Sequence, residues 1–202
     1  MRKFTRRILL CAILAAAVWC GSVLGDRQTL DQELIRLHVV AASDSREDRA
    51  IKLRVRDAVT ESLQSDLARL RDAEEAKAYL EANLPKIRQI ANQTLQAAGC
   101  DAEAMVSLCR EVFDTRQYDT FTLPAGVYEA LRIVIGDGQG QNWWCVVFPQ
   151  LCLEVTGEGF RAEAAGAGFS GRLTDTLTGE GYEIRFFFLD QLGKIRGRLR
   201  GA

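Results

Sequence analysis

"LIRLHVVAASDSREDRAIKLRVRDAV", residues 34–59, changes its period halfway along. From Leu34 to Ala41 the side chains alternate: Ile35, Leu37, Val39 and Ala41 point one way, and Arg36, His38 and Val40 point the other. That is the period of a β-strand. After the polar break "SDSREDR" the repeat lengthens, and Ile51, Val55, Val59, Leu63, Leu67 and Leu70 recur every three or four residues. This spacing predicts one long helix with a single apolar stripe. Asp44, with Glu47 three residues further on, predicts its N-cap and capping box.

Working outward, a second helical stretch runs from about Asp72 to Ala98 and stops at Gly99. Pro85 lacks an N–H and clashes with the preceding turn, so a break is expected there, with Asn83 capping a later piece, Leu84–Ala98. Strand patterns follow at Met105–Phe113, Val127–Ile135 and Asn142–Phe148. "LPAG" (123–126) fits a type I turn, and "GDGQG" (136–140) reads as a glycine-rich hairpin turn between the last two strands. Short connections between successive strands predict an antiparallel meander with the long helices packed on one face, a single α/β domain over residues 26–156. Residues 157–181 read as a Gly-rich flexible linker, and 182–202 as a last strand (Tyr182–Leu189) and a short helix marked by Leu192, Ile195 and Leu199.

The chain's 202 residues, 48% hydrophobic and 26% charged, are enough for a sizeable core. Arg2, Lys3, Arg6 and Arg7 are four of its 26 basic residues; the other 22 face 27 acidic ones, so residues 26–202 carry a net −5. A mildly acidic body has no electrostatic footprint for nucleic acid. The basic start runs into an apolar stretch, the composition of an export signal. Val23 and Gly25 fit the small-residue positions of a signal-peptidase site, which predicts cleavage before Asp26. The alternative for residues 1–25 is an uncleaved anchor, because Ile8–Leu24 is 17 residues long, and about 17 is the lower limit for spanning a bilayer. Outside this segment four cysteines remain, Cys100, Cys109, Cys145 and Cys152, an even number in an oxidising setting.

His38 is the only histidine, so any Cys–His nucleophile pair with Cys145 or Cys152 rests on it. A histidine hydrogen-bonded on the second face of a strand is the plainer reading. One histidine and a Cys-x6-Cys spacing do not match zinc-ligand patterns, and no metal or cofactor is expected. "GDGQG" lacks the following helix that a phosphate-cradling loop needs. The carboxylates Asp44, Asp48 and Asp57 decorate a cap and a solvated face. "NWWCVVFPQLC" (142–152) is more informative. If its strand turns around Phe148–Pro149, antiparallel pairing sets Cys145 opposite Cys152, at a Cα separation of about 4.5–5.5 Å, within disulfide range. Strand alternation sends Trp143 and Trp144 to opposite faces, which leaves one of them to anchor a partner.

The stretches 34–59 and "LPAGVYEALRIVIGDGQGQNWWCVVFPQLC" (123–152), with "YEIRFFFLDQL" (182–192) more weakly, resemble the stage II sporulation protein R family of endospore-forming bacteria. Ala42 and Gln150 depart from the residues usual there, asparagine and proline. The resemblance implies a secreted signalling protein and not an enzyme, exported from the forespore into the space between the two sporulation membranes. It implies a partner, the membrane-embedded aspartic protease that processes pro-sigma-E (stage II sporulation protein GA), with membrane contact through a retained N-terminus as a further expectation. Trp143, Trp144, Arg36, His38 and Asp44 are the candidate contact residues. The alternative class is an extracytoplasmic thiol enzyme using Cys145 and His38.

Overall fold

A computed structural model describes residues 2–150, 157–179 and 184–200. Its centre is a four-stranded mixed sheet in the order β2-β5-β1-β6, formed by β1 (Ile35–Val40), β2 (Ala104–Phe113), β5 (Gly126–Ile135) and β6 (Asn142–Phe148). β1 runs parallel to β5 and antiparallel to β6, and β2 is antiparallel to β5. The α/β arrangement and the strand positions agree with the sequence reading. The meander does not: β1 lies between β5 and β6, so residues 136–141 cross the end of β1 instead of closing a hairpin. Gly140 makes this crossing possible. A Cβ there would lie 2.2 Å from the Ser43 carbonyl oxygen, and the Gly140 N–H donates to the Ala41 carbonyl at 2.9 Å.

Helices cover both faces of the sheet, not one. On the first face pack α2 (Arg46–Leu67) and α3 (Ala73–Ala97). The predicted stripe of α2 is buried at Ile51, Val55, Val59, Leu63 and Leu67, against Leu37, Val39, Leu131, Ile133, Cys145 and Val147 of the sheet. α3 does not break at Pro85. Its apolar face, Leu80, Ile87, Ala91 and Leu95, is buried continuously across the proline. An interior proline costs about 3 kcal/mol, whereas burying each large aliphatic side chain contributes roughly 1.5–3 kcal/mol, so packing wins. The Tyr79 hydroxyl ties α3 to α2 by donating to Asp66 at 2.5 Å, and burial with that carboxylate pushes the phenol up to about 12.

The N-cap of α2 is Ser45, one residue later than expected; its hydroxyl accepts from the Asp48 N–H at 2.9 Å. Asp44 instead accepts from the Gln141 N–H at 2.7 Å, while the buried Lys52 ammonium donates to the Gln141 carbonyl at 2.8 Å. Burial, followed by repulsion from Arg49, lowers the pKa of Lys52. Gln141 is thus held from both sides, and the crossing loop is fixed to the start of α2.

On the second face lie α1 (Arg2–Glu33), α4 (Gly157–Gly166), α5 (Gly171–Thr178) and α6 (Ile184–Arg200). The expected linker is therefore helical where described, because Phe160, Ala164, Leu173 and Leu177 find a core to bury in. From Ile184 on, the expected last strand is likewise part of α6, with Tyr182 and Glu183 outside the described residues: Phe186 and Leu189 are spaced for a helix and both are buried. Gly193 lets α6 approach the sheet, since a Cβ there would lie 1.6 Å from the Ala125 carbonyl oxygen. Asp190 fastens the contact, taking hydrogen bonds from the Thr115 hydroxyl and the Ala125 N–H and pairing with Lys194 at 2.5 Å. A short ribbon, β3 (Arg116–Gln117) and β4 (Thr122–Leu123), lies between β2 and β5 and was not anticipated. α1 is long and apolar enough to cross a membrane by length and composition, and its last turns, from Val23 to Asp31, sink into the second core.

A polar cluster on the second sheet face

β1 alternates, so Arg36 and His38 fall on the second face together. Across the sheet they meet Ala130 and Arg132 on β5, and Val146 and Trp144 on β6. The His38 ring has both nitrogens engaged, Nδ1 with Glu111 and Nε2 with Asn142, each at 2.8 Å. It stacks on Trp144 at 5.6 Å between centroids and meets the edge of Phe113. The Arg116 guanidinium from β3 lies over the other partner in that stack, 3.6 Å from the Trp144 ring centre. His38, Trp144 and Arg116 thus form a layered platform, bounded by Glu111 and Arg132, which approach to 3.8 Å.

Two residues back along β1, on the same face, lies Arg36, which is fully buried. Its Nη2 donates to the Tyr118 hydroxyl at 2.6 Å, and its guanidinium sits 4.1 Å from the Phe113 ring centre and 5.3 Å from that of Tyr128. Nε and Nη1 have no hydrogen-bond partner among the described residues. Aromatic faces stabilise this cation in place of a carboxylate. Burial of a charge without an anionic partner is costly, so local stability does not account for Arg36.

The cluster is poorly suited to acid–base or thiol chemistry. Both ring nitrogens of His38 are already hydrogen-bonded within the cluster. Cys145 lies opposite Leu37 in the first-face core, so the sheet separates it from His38 and the two cannot form a dyad. Burial, then the charge of Glu111, pushes the Cys109 thiol up, away from a reactive thiolate. Among the described residues, no group of three or more His, Cys, Asp or Glu is placed to hold a metal ion.

The sequence-predicted contact residues therefore divide. Arg36, His38 and Trp144 come together. Trp143 faces the other side, 36% exposed, under the Arg56 guanidinium at 4.4 Å, and Asp44 serves the loop clamp described above. Cys152 lies outside the described residues. Glu111, Arg116, Arg132 and Asn142 escaped the sequence reading, because their part depends on strand order and register.

Comparison with known proteins places this cluster within a matched region. The model of the stage II sporulation protein R family matches residues 31–157. Stage II sporulation protein R of Bacillus subtilis (strain 168) is 37% identical over 123 residues, covering 61% of this chain and 55% of that protein. The chain thus spans about half the length of the curated relative it matches. No solved structure matches. With more than half of its residues under the family's pattern, including all four sheet strands, the chain belongs to the stage II sporulation protein R family.

Proposed function

We infer that the protein is a signalling factor of endospore formation that works by contact and not by catalysis. It is exported from the forespore and acts in the space between the two sporulation membranes. Its partner there is the membrane-embedded aspartic protease that processes pro-sigma-E. The platform of Trp144, held between His38 and Arg116 beside the buried Arg36, is the observation that carries this reading. Tryptophan and arginine are the residues most enriched where binding energy concentrates, and a preorganised stack loses little entropy on docking.

Co-expression with the protease and its substrate, scored for cleavage, tests the reading. Trp144→Ala loses processing while fold and export are kept. Truncating such an anchor costs about 2 kcal/mol or more, roughly thirtyfold in affinity. Full processing by the folded Trp144→Ala protein would contradict the proposal. A disulfide between Cys145 and Cys152 belongs to the same reading. Mass mapping of unreduced exported protein finds these two peptides linked, and a reduced Cys145 would rule the bond out.

A further inference from the structure

α1 is one unbroken helix from Arg2 to Glu33, and its two halves have opposite surroundings. Ile8, Leu9, Leu10, Ile13, Leu14 and Val18 are all more than half exposed. Val23, Arg27 and Leu30 are buried in the second core. Between Arg7 and Asp26 there is no charged residue for 18 positions, about 27 Å of helix at ~1.5 Å per residue. A bilayer's hydrocarbon core is about 30 Å thick, so burying this stretch brings the membrane surface up to the level of Ser22 and Asp26. The four basic residues before Ile8 place that end on the cytosolic side and the folded domain on the other.

At that level the start of α6 packs on α1. Arg185 donates to the Ser22 hydroxyl at 3.2 Å, to its carbonyl at 3.1 Å and to Asp26 at 2.7 Å. Phe188 meets Trp19 edge to face at 5.1 Å. Around these contacts Ile184 is 72% exposed, and Phe187 and Phe188 are 41% exposed. Three large apolar side chains beside a half-buried tryptophan, at the depth where the bilayer ends, have the composition of an interfacial belt. Cleavage after Gly25 would take Val23 out of the core, Ser22 from Arg185 and Trp19 from Phe188.

We propose that α1 is retained as an anchor and that the first turn of α6, through Ile184, Phe187 and Phe188, sits in the lipid interface beside Trp19. This fixes the domain against the membrane instead of leaving it on a flexible tether. The proposal is independent of the polar cluster and of its partner.

Two measurements test it. Mass spectrometry of the chain extracted from producing cells finds α1 attached; a chain that starts at Asp26 overturns the proposal. For depth, the full chain is reconstituted in phosphatidylcholine vesicles with bromines near the headgroup end of the acyl chains. One tryptophan reporter is used at a time. Ile184→Trp in a Trp19→Phe/Trp143→Phe/Trp144→Phe background loses most of its emission relative to unbrominated vesicles. Phe188→Trp in the same background does likewise and serves as the second reporter should one variant fold poorly. Trp19→Phe/Trp144→Phe, which keeps only Trp143 on the far side of the sheet, keeps its emission. Unquenched reporters at 184 and 188 in a vesicle-bound chain overturn the proposal, as does equal quenching of Trp143.

Discussion

On one side of the sheet Leu37, Val39, Leu131 and Ile133 close against α2 and α3 in an apolar cluster. On the other, Arg36 and His38, the residues alternating with them along β1, sit among aromatic rings, Glu111, Asn142 and Arg132. The same strand serves both, since a period of two sends neighbours to opposite faces. The first face is built as a core is built, by removing apolar surface from water. The second keeps a buried cation that packing alone would replace with a hydrocarbon chain. The contrast is between a face that is apolar throughout and one whose apolar core adjoins a buried polar cluster.

The largest expected effect breaks the first face. Val59→Asp puts an unpaired charge among fully buried side chains of α2, one of the few severe single changes. It abolishes the cooperative melt, and a normal thermal transition would refute the placement of α2. A smaller effect probes how the second face is closed. Burial opposes ionisation of Asp190, but hydrogen bonds from Lys194, Thr115 and the Ala125 N–H outweigh it and hold the carboxyl below its ordinary range. With its folded pKa depressed, Asp190 contributes stability in full above the unfolded value of about 3.9, and that stability is lost as pH falls through the folded value. Asp190→Asn therefore lowers Tm near neutral pH, and the gap from the parent protein narrows as pH drops below about 4. A gap that is constant with pH would contradict this. The smallest effect is local: Ser45→Ala costs about 1 kcal/mol through loss of the N-cap, read as a drop in unfolding free energy. A larger loss for Asp44→Ala than for Ser45→Ala would mean that the crossing loop matters more than the cap.

The first face was largely legible in the sequence. Strand patterns marked all four sheet strands, most clearly the alternation of β1, and the stripe from Ile51 to Leu67 marked α2. Strand order was not legible: no local feature says that β1 pairs with both β5 and β6, so the Gly136–Gly140 connection was misread as a hairpin. The second face suffered most. The run Phe186–Phe188 fits either period when short, and only the buried Phe186 and Leu189 decide for a helix. A signal for α5 was present in Ser170, whose hydroxyl accepts from the Leu173 N–H at 3.1 Å, but the surrounding glycines obscured it. In the polar cluster, Arg36 and His38 were readable as facing one way and Trp144 as facing opposite to Trp143, but not that Trp144 shares the face of Arg36 and His38. Glu111, Arg116 and Arg132 enter only through register, and the burial of Arg36 only through packing.

The central claim, that the second face keeps its charge for contact and not for stability, is tested most directly by Arg36→Met, measured twice. An apolar side chain of similar length removes a buried cation with two unpaired nitrogens, and with it the cost of burying that charge. The account predicts a Tm equal to or above that of the parent, together with loss of pro-sigma-E processing in co-expression. A protein that melts markedly lower, or one that folds normally and still supports full processing, would contradict it.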